Sequence, residues 1–220
     1  MIMIRIYTVI ILFLAGSLSS RAQIQVSKEP RHHNVFENAW VRVLDVHLPP
    51  GDTSLIHKHS TPSVFLILSN TKTGSEVIVE PEKPTFNDGH IWFEGFYTTP
   101  RIHRVWNSDT TEFHVIDMEL VNKAPQAIDP PLQLAGLSQL FDEKPVRGYR
   151  LTLPGNATIR LPRRKAPILL VGLFNTASGV MVNDKAFVKK GDFLFVGAGG
   201  EIGLVNKNAV DQPFAIFELK

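Results

Sequence analysis

Histidine stands at positions 32, 33, 47, 57, 59, 90, 103 and 114, and residues 115–220 have none. Two of these residues, His57 and His59, are separated by a single lysine. On an extended strand, side chains two apart share a face, so this pair can aim two imidazoles the same way from Cα atoms about 6.5 Å apart. A third imidazole from a facing strand would complete a metal site at nitrogen–metal distances of about 2.0–2.2 Å, leaving other positions for water, substrate or oxygen. A His-x-His pair by itself is also what surface histidines at a strand end look like, so its surroundings decide. The absence of cysteine excludes disulfides, thiolate ligands and thiol catalysis. Any chemistry falls to histidine, carboxylates, hydroxyls or a metal.

The surroundings are ordered. Gly51 precedes His57 by five intervening residues, and Gly95, Pro100, His103 and Asn107 follow some forty residues later. This arrangement resembles the two motifs of the cupin superfamily over most of residues 36–120. The chain departs from the pattern where the first motif places a glutamate, which is Ser63 or Val64 here, and where its closing glycine belongs, which is Asn70 or Thr71. In the second motif Trp92 stands at the opening glycine, Thr98 at the proline and Pro100 at the second glycine. The resemblance therefore implies one divalent transition metal (iron, zinc, copper, nickel, cobalt or manganese) held by His57, His59 and His103 without a carboxylate. The thiol dioxygenases are similar in using three imidazoles.

Trp92, Tyr97 and Trp106, with Phe65 and Phe93, offer an aromatic wall for a small-molecule ligand beside that metal. Arg101 and Arg104 flank His103, and either could meet a substrate carboxylate through paired hydrogen bonds. His32 and His33 lie in a polar stretch and read as solvated, while His47, His90 and His114 fall within strands and read as structural. No residue is singled out as a catalytic acid or base.

These residues need short strands to position them. Runs rich in Val, Ile, Leu, Phe and Thr, bounded by Gly, Pro, Asn and Asp, predict strands at 41–48, 63–68, 77–80, 90–94, 104–106 and 112–120. Turns are expected at Thr73-Gly74, Asp88-Gly89 and Ser108-Asp109. Residues 121–145, with Pro125, Pro130, Pro131 and Pro145, read as a link in which Leu132 to Phe141 could form helical turns. Strands resume at 149–153, 168–174, 193–196 and 213–219.

The two halves repeat in outline. Leu48-Pro49-Pro50-Gly51 answers Leu153-Pro154-Gly155, Asp88-Gly89-His90 answers Lys190-Gly191-Asp192, Asn107 answers Asn206, and Glu119-Leu120 answers Glu218-Leu219. The expectation is an all-β protein of two tandem cupin-type double-stranded β-helix (jelly-roll) barrels, the second trimmed. The first spans 23–122 with the metal site, a Pro-rich linker spans 123–145, and a degenerate barrel spans 146–220. In the repeat Leu161, Arg163 and Ile202 fall where the three ligands would stand, so the second barrel lacks a metal site. Arg160, Arg163, Arg164 and Lys165 read as a solvated loop.

Residues 1–22 carry Arg5, an apolar run from Ile6 to Leu14, and Ser20 and Ala22 before Gln23, the layout of a cleavable signal peptide. The run is shorter than a membrane-spanning helix needs, and no cysteine is present for lipid attachment. A periplasmic or secreted protein with no stable membrane insertion after cleavage is expected. The net charge of +2 comes from Arg5 and Arg21, because that segment holds no acid and the rest of the chain is balanced. No field is left to recruit nucleic acid. Function reads as an exported metal-binding cupin, a metal-dependent small-molecule enzyme of oxygenase-like (dioxygenase-like) or isomerase-like type. The alternative is a non-catalytic small-molecule or metal-binding module. A homodimer is compatible with either.

Overall fold

The computed structural model describes residues 23–69, 71–77, 87–122 and 129–220. The predicted leader, and the predicted strand beyond residue 77, lie outside the described residues. In the first half the strands are β1 (Ile24–Gln25), β2 (His32–Glu37), β3 (Val41–Leu48), β4 (His57–His59), β5 (Ser63–Ile67), β6 (Thr73–Val77), β7 (Ile91–Glu94), β8 (Arg101–Asn107) and β9 (Phe113–Leu120). In the second they are β10 (Leu137–Glu143), β11 (Val146–Leu153), β12 (Thr158–Leu161), β13 (Ile168–Gly172), β14 (Val180–Val182), β15 (Lys185–Phe187), β16 (Phe193–Val196), β17 (Ile202–Asn206) and β18 (Gln212–Leu219). A single 3₁₀ turn, Val26–Lys28, follows β1.

Each half is a jelly roll of two sheets. The first pairs the order β1-β4-β8-β6 with β2-β3-β9-β5-β7, and the second pairs β12-β17-β14-β15 with β10-β11-β18-β13-β16. The larger sheets repeat one another strand for strand, including a register shift between Asn34 and Phe36 that recurs between Gln139 and Phe141. The repeated sequence elements do the same work. Gly89 and Gly191, both with positive φ, each donate N–H to the last carbonyl of a preceding strand, that of Ile67 and Gly172 respectively. Asn107 and Asn206 each use their side-chain amide to hold the carbonyls of Leu48 and Leu153.

The segment expected to turn helically is instead strand β10, the counterpart of β2. Its helix-permitting composition is overridden by pairing with β11 along nearly its whole length. Thr73-Gly74 is likewise strand rather than turn. A Cβ on Gly74 would stand 2.1 Å from the Trp106 ring, so glycine here admits an indole laid across the neighbouring strand.

Alternation along the strands divides the apolar residues among three cores. Leu44, Val46, Leu48, Ile67, Phe113 and Val115 line the first barrel, and Leu151, Leu170, Phe187, Leu204 and Phe214 fill the second. The opposite faces of the two large sheets meet through Val43, Leu66 and Met118 on one side and Leu169, Val171 and Phe217 on the other. The second barrel thus buries the outer face of the sheet that backs the histidines. Among the described residues no helix is long and apolar enough to cross a membrane.

Candidate metal centre

Strand β4 is short because only His57–His59 pair, flanked by β1 on one side and β8 on the other. Both histidines are buried, with Lys58 between them facing the other way. His57 lies directly opposite His103 on β8, so the predicted third imidazole does come from a facing strand. The His59 and His103 Nε2 atoms are 3.0 Å apart, and the His57 ring is centred 4.6 Å from that of His103. Two nitrogens bound cis on one ion at about 2.1 Å would be separated by about 3.0 Å.

A fourth imidazole joins them. His32, expected in solvent, is buried on β2, and one ring nitrogen each of His32, His57 and His59 fall within 4.8 Å of one another. Its ring is 4.7 Å from that of His57. His32 is held inside by Glu29, a fully buried carboxylate that accepts from His32 Nδ1 at 2.7 Å and from the backbone N–H of Leu55 and Arg31. Burial pushes the Glu29 carboxyl up, but the His32 and backbone hydrogen bonds together hold it below the usual range. An ionised carboxylate behind a histidine fixes the ring and makes its far nitrogen a better donor.

The other rings are braced in the same way. His57 Nδ1 donates to the Leu55 carbonyl at 2.8 Å, which sets the tautomer and leaves Nε2 with its lone pair, buried and without a partner. His103 Nδ1 meets the Ser75 hydroxyl at 2.9 Å. Asp117 Oδ2 stands 3.4 Å from His59 Nδ1, and neither Asp117 oxygen has a hydrogen-bond partner although the residue is buried. Burial first, and then the neighbouring imidazoles, push the His57 ring down to about 3 and His103 well below its ordinary value. Both are therefore neutral at pH 7, the state in which imidazole ligates a metal. His57 Nε2 is buried without a partner, and the His59 and His103 Nε2 atoms lie 3.0 Å apart, so a divalent cation bound among these rings would satisfy all three nitrogens.

The histidines form one wall of a cavity of about 490 Å³. Val46, Leu48, Ile67, Phe113 and Val115 supply its apolar floor, and Phe65, Trp92, Glu94 and Arg101 its rim. Trp92 stacks on Phe65 at 5.0 Å and donates its indole N–H to Glu94. Arg101 is ion-paired with Glu94 at 2.7 Å, so a substrate carboxylate would have to compete with Glu94 for it. Phe96 stacks on His59 at 5.6 Å from a backbone with φ of 49°, a left-handed conformation that a bulky side chain adopts only under constraint.

Four residues expected around the ligand are elsewhere, among them Phe93, which packs between the barrels. On β8 the side chains alternate, so Arg101, His103 and Val105 face the cavity while Arg104 and Trp106 take the opposite face. Tyr97 is 64% exposed and borders a separate cleft with Arg42, Pro62 and Lys220. Ser63, where a family glutamate would fall, donates its hydroxyl to the Thr61 carbonyl, and Val64 packs between the barrels. His90 also lines the cavity, stacked on Trp92. His32, Glu29, Ser75, Asp117 and Phe96 were not anticipated. The Glu-x-x-His spacing of Glu29 and His32 was the one local signal.

The second barrel places apolar side chains at the corresponding paired positions. Leu161 and Ile202 pair across strands as His57 and His103 do, and both are buried among apolar residues. Arg163 is exposed beside Glu201, but Arg164 is buried, bonded to Glu218, which also holds Arg147. That clamp is why Arg164 leaves the solvated run.

The jelly-roll barrels have the fold seen in cupin-type enzymes. The solved structures agree on the fold. AerE from Microcystis aeruginosa superposes with a TM-score of 0.56 at 10% identity, over 87% of this chain and 98% of that one. Salicylate 1,2-dioxygenase from Pseudaminobacter salicylatoxidans gives 0.58 at 11% identity over 82% and 71%, and its adducts with gentisate give 0.57 at 10% over 84% and 70%. No family model and no curated protein matches the sequence.

Proposed function

We propose that this chain is a metal-dependent small-molecule enzyme of the dioxygenase-like cupin type, exported from the cytoplasm, with its metal held by His32, His57, His59 and His103. The observation that carries this reading is the convergence of these imidazoles on one wall of a cavity, three of them braced at Nδ1 by Glu29, the Leu55 carbonyl and Ser75. A bound redox-active metal would supply a Lewis acid and a site for dioxygen, chemistry that the side chains alone lack. The chain's own contribution is to orient and desolvate. Apolar residues exclude water, and the Phe65–Trp92 stack presents an aromatic face to a planar substrate. The Glu94–Arg101 pair offers an acceptor and a donor side by side at the rim. The neighbour solved with gentisate makes small hydroxylated aromatic acids the first compounds to try.

His32 also supports a second reading. Four imidazoles fill a tetrahedral ion and leave a six-coordinate ion two positions, so a protein that takes zinc would be a binding module rather than an oxygenase. The two separate on loading. The ferrous protein should bind nitric oxide, with an electron spin resonance signal altered by a chelating acid, and should consume oxygen with a productive compound. Selective uptake of zinc, with no response to nitric oxide, would favour the binding module.

A further inference from the structure

The outer face of the first barrel repeats the pairing geometry of the candidate metal centre with different residues. In the cavity, His57 is paired across strands with His103, and His59 lies two residues along. On the outer face, His47 of β3 is paired with His114 of β9, and Asp45 lies two residues along. We propose that Asp45, His47 and His114 form a second divalent-metal site, independent of the one in the cavity.

The contacts converge. Asp45 directs one oxygen at His114 Nε2, at 2.7 Å, and the other at His47 Nε2, at 3.2 Å. The two rings are stacked, 4.2 Å apart and inclined by 21°, so both nitrogens face the same carboxylate. One ligand atom from each residue falls within 4.8 Å of the others. Two imidazoles and a carboxylate on one side of an ion form a common transition-metal triad that leaves further positions to water.

The remaining contacts support the same use. Glu112 accepts from His47 Nδ1 at 3.1 Å, the carboxylate–histidine arrangement that orients a ligand and raises its basicity. His114 packs toward the turn at Gly191, where an added Cβ would lie 3.5 Å from its Cε1, so the second barrel walls the site on that side. Asp45, His47 and His114 are each only partly buried, which leaves an approach for a hydrated ion. This face points away from the cavity, because Leu44, Val46 and Leu48 take the inward positions of β3. Zinc, copper(II), nickel and cobalt suit the donor set.

The test uses the full chain with His57→Ala and His59→Ala to remove the cavity site, stripped with chelator and titrated with zinc by calorimetry. One zinc should remain bound, Asp45→Asn or His114→Gln added to this background should weaken it at least about 100-fold, and Glu112→Gln about 10-fold. Copper(II) should give a spin resonance spectrum with nitrogen hyperfine structure that His114→Gln simplifies. Should the double variant fail to fold, the wild-type chain is compared with His114→Gln by equilibrium dialysis, where two zinc ions should fall to one. No zinc retained by a folded double variant, or retention unchanged by Asp45→Asn, would overturn the proposal. Loss of the cavity metal alone would leave it standing, so the two sites fail separately.

Discussion

Replacing His32 by alanine separates a metal ligand from a buried structural histidine. Binding of a divalent ion by a complete protein site is worth about 10–16 kcal/mol. Divided among four imidazoles, one ligand accounts for about 2.5–4 kcal/mol, or a weakening of about 10²–10³ in Kd. Removing only the brace, by Glu29→Gln, keeps the ligand and loosens its orientation, for which about 10–100-fold is expected. His33→Ala is the control for the cavity site alone, because that side chain is exposed on the opposite face of the same strand, stacked on His47. Affinity is read by competition with a chromophoric chelator, and folding by circular dichroism and urea denaturation in chelator. The reasoning requires the order His32→Ala, then Glu29→Gln, then His33→Ala. A His32→Ala protein that is folded and binds as tightly as wild type, while His103→Ala does not, would refute a ligand role for His32.

Other outcomes follow from the packing and charges. Glu218→Ala leaves the buried Arg147 and Arg164 without their shared partner, and should cost about 3–5 kcal/mol in urea denaturation while metal affinity in the first barrel is unchanged. Gly74→Ala drives a methyl into the Trp106 ring and should cost about 1–3 kcal/mol, checked by the same denaturation and by tryptophan fluorescence. In the metal-free protein, hydrogen bonding to Asp45 first, and to Glu112, raises His47 to about 9 against the opposing effect of burial, while contacts from His114 and His47 outweigh burial to hold Asp45 far below its usual value. The His47 contribution is therefore fully present below about pH 6.5 and lost as pH rises through 9, and the Asp45 contribution is lost only in acid. With screening at these partly exposed groups, wild type should lose about 1–2 kcal/mol more than His47→Gln between pH 6 and pH 9.5 in chelator. Saturation with the tight metal at about 1,000 times Kd should add about 4 kcal/mol, raising the melting temperature by about 8–16 °C in calorimetry.

Local composition determined a good deal about this protein. Alternating and β-branched runs marked Val41–Leu48, Phe193–Val196 and the cores of β5, β9 and β18, because a strand half-buried on a sheet writes its period into the sequence. The repeated Leu-Pro, Gly and Asn positions marked the duplication, since each is required by a turn whose geometry recurs. Spacing alone paired His57 with His59, and the resemblance to a known motif selected His103. The strands missed, β2, β10, β12 and β17 among them, are short or polar, and they exist because a neighbouring strand offers hydrogen bonds rather than because of their own propensity. Tertiary structure alone decided which side of β8 faces the cavity, and so parted Arg101 from Arg104 and Trp106. It also brought His32, with Glu29 behind it, from a polar stretch to the rings of β4, and set Asp117 behind His59 from across the barrel. A site closed by residues from β2, β4, β8 and β9 depends on strand order and register, and those are set by burial of whole sheet faces, which no local spacing encodes.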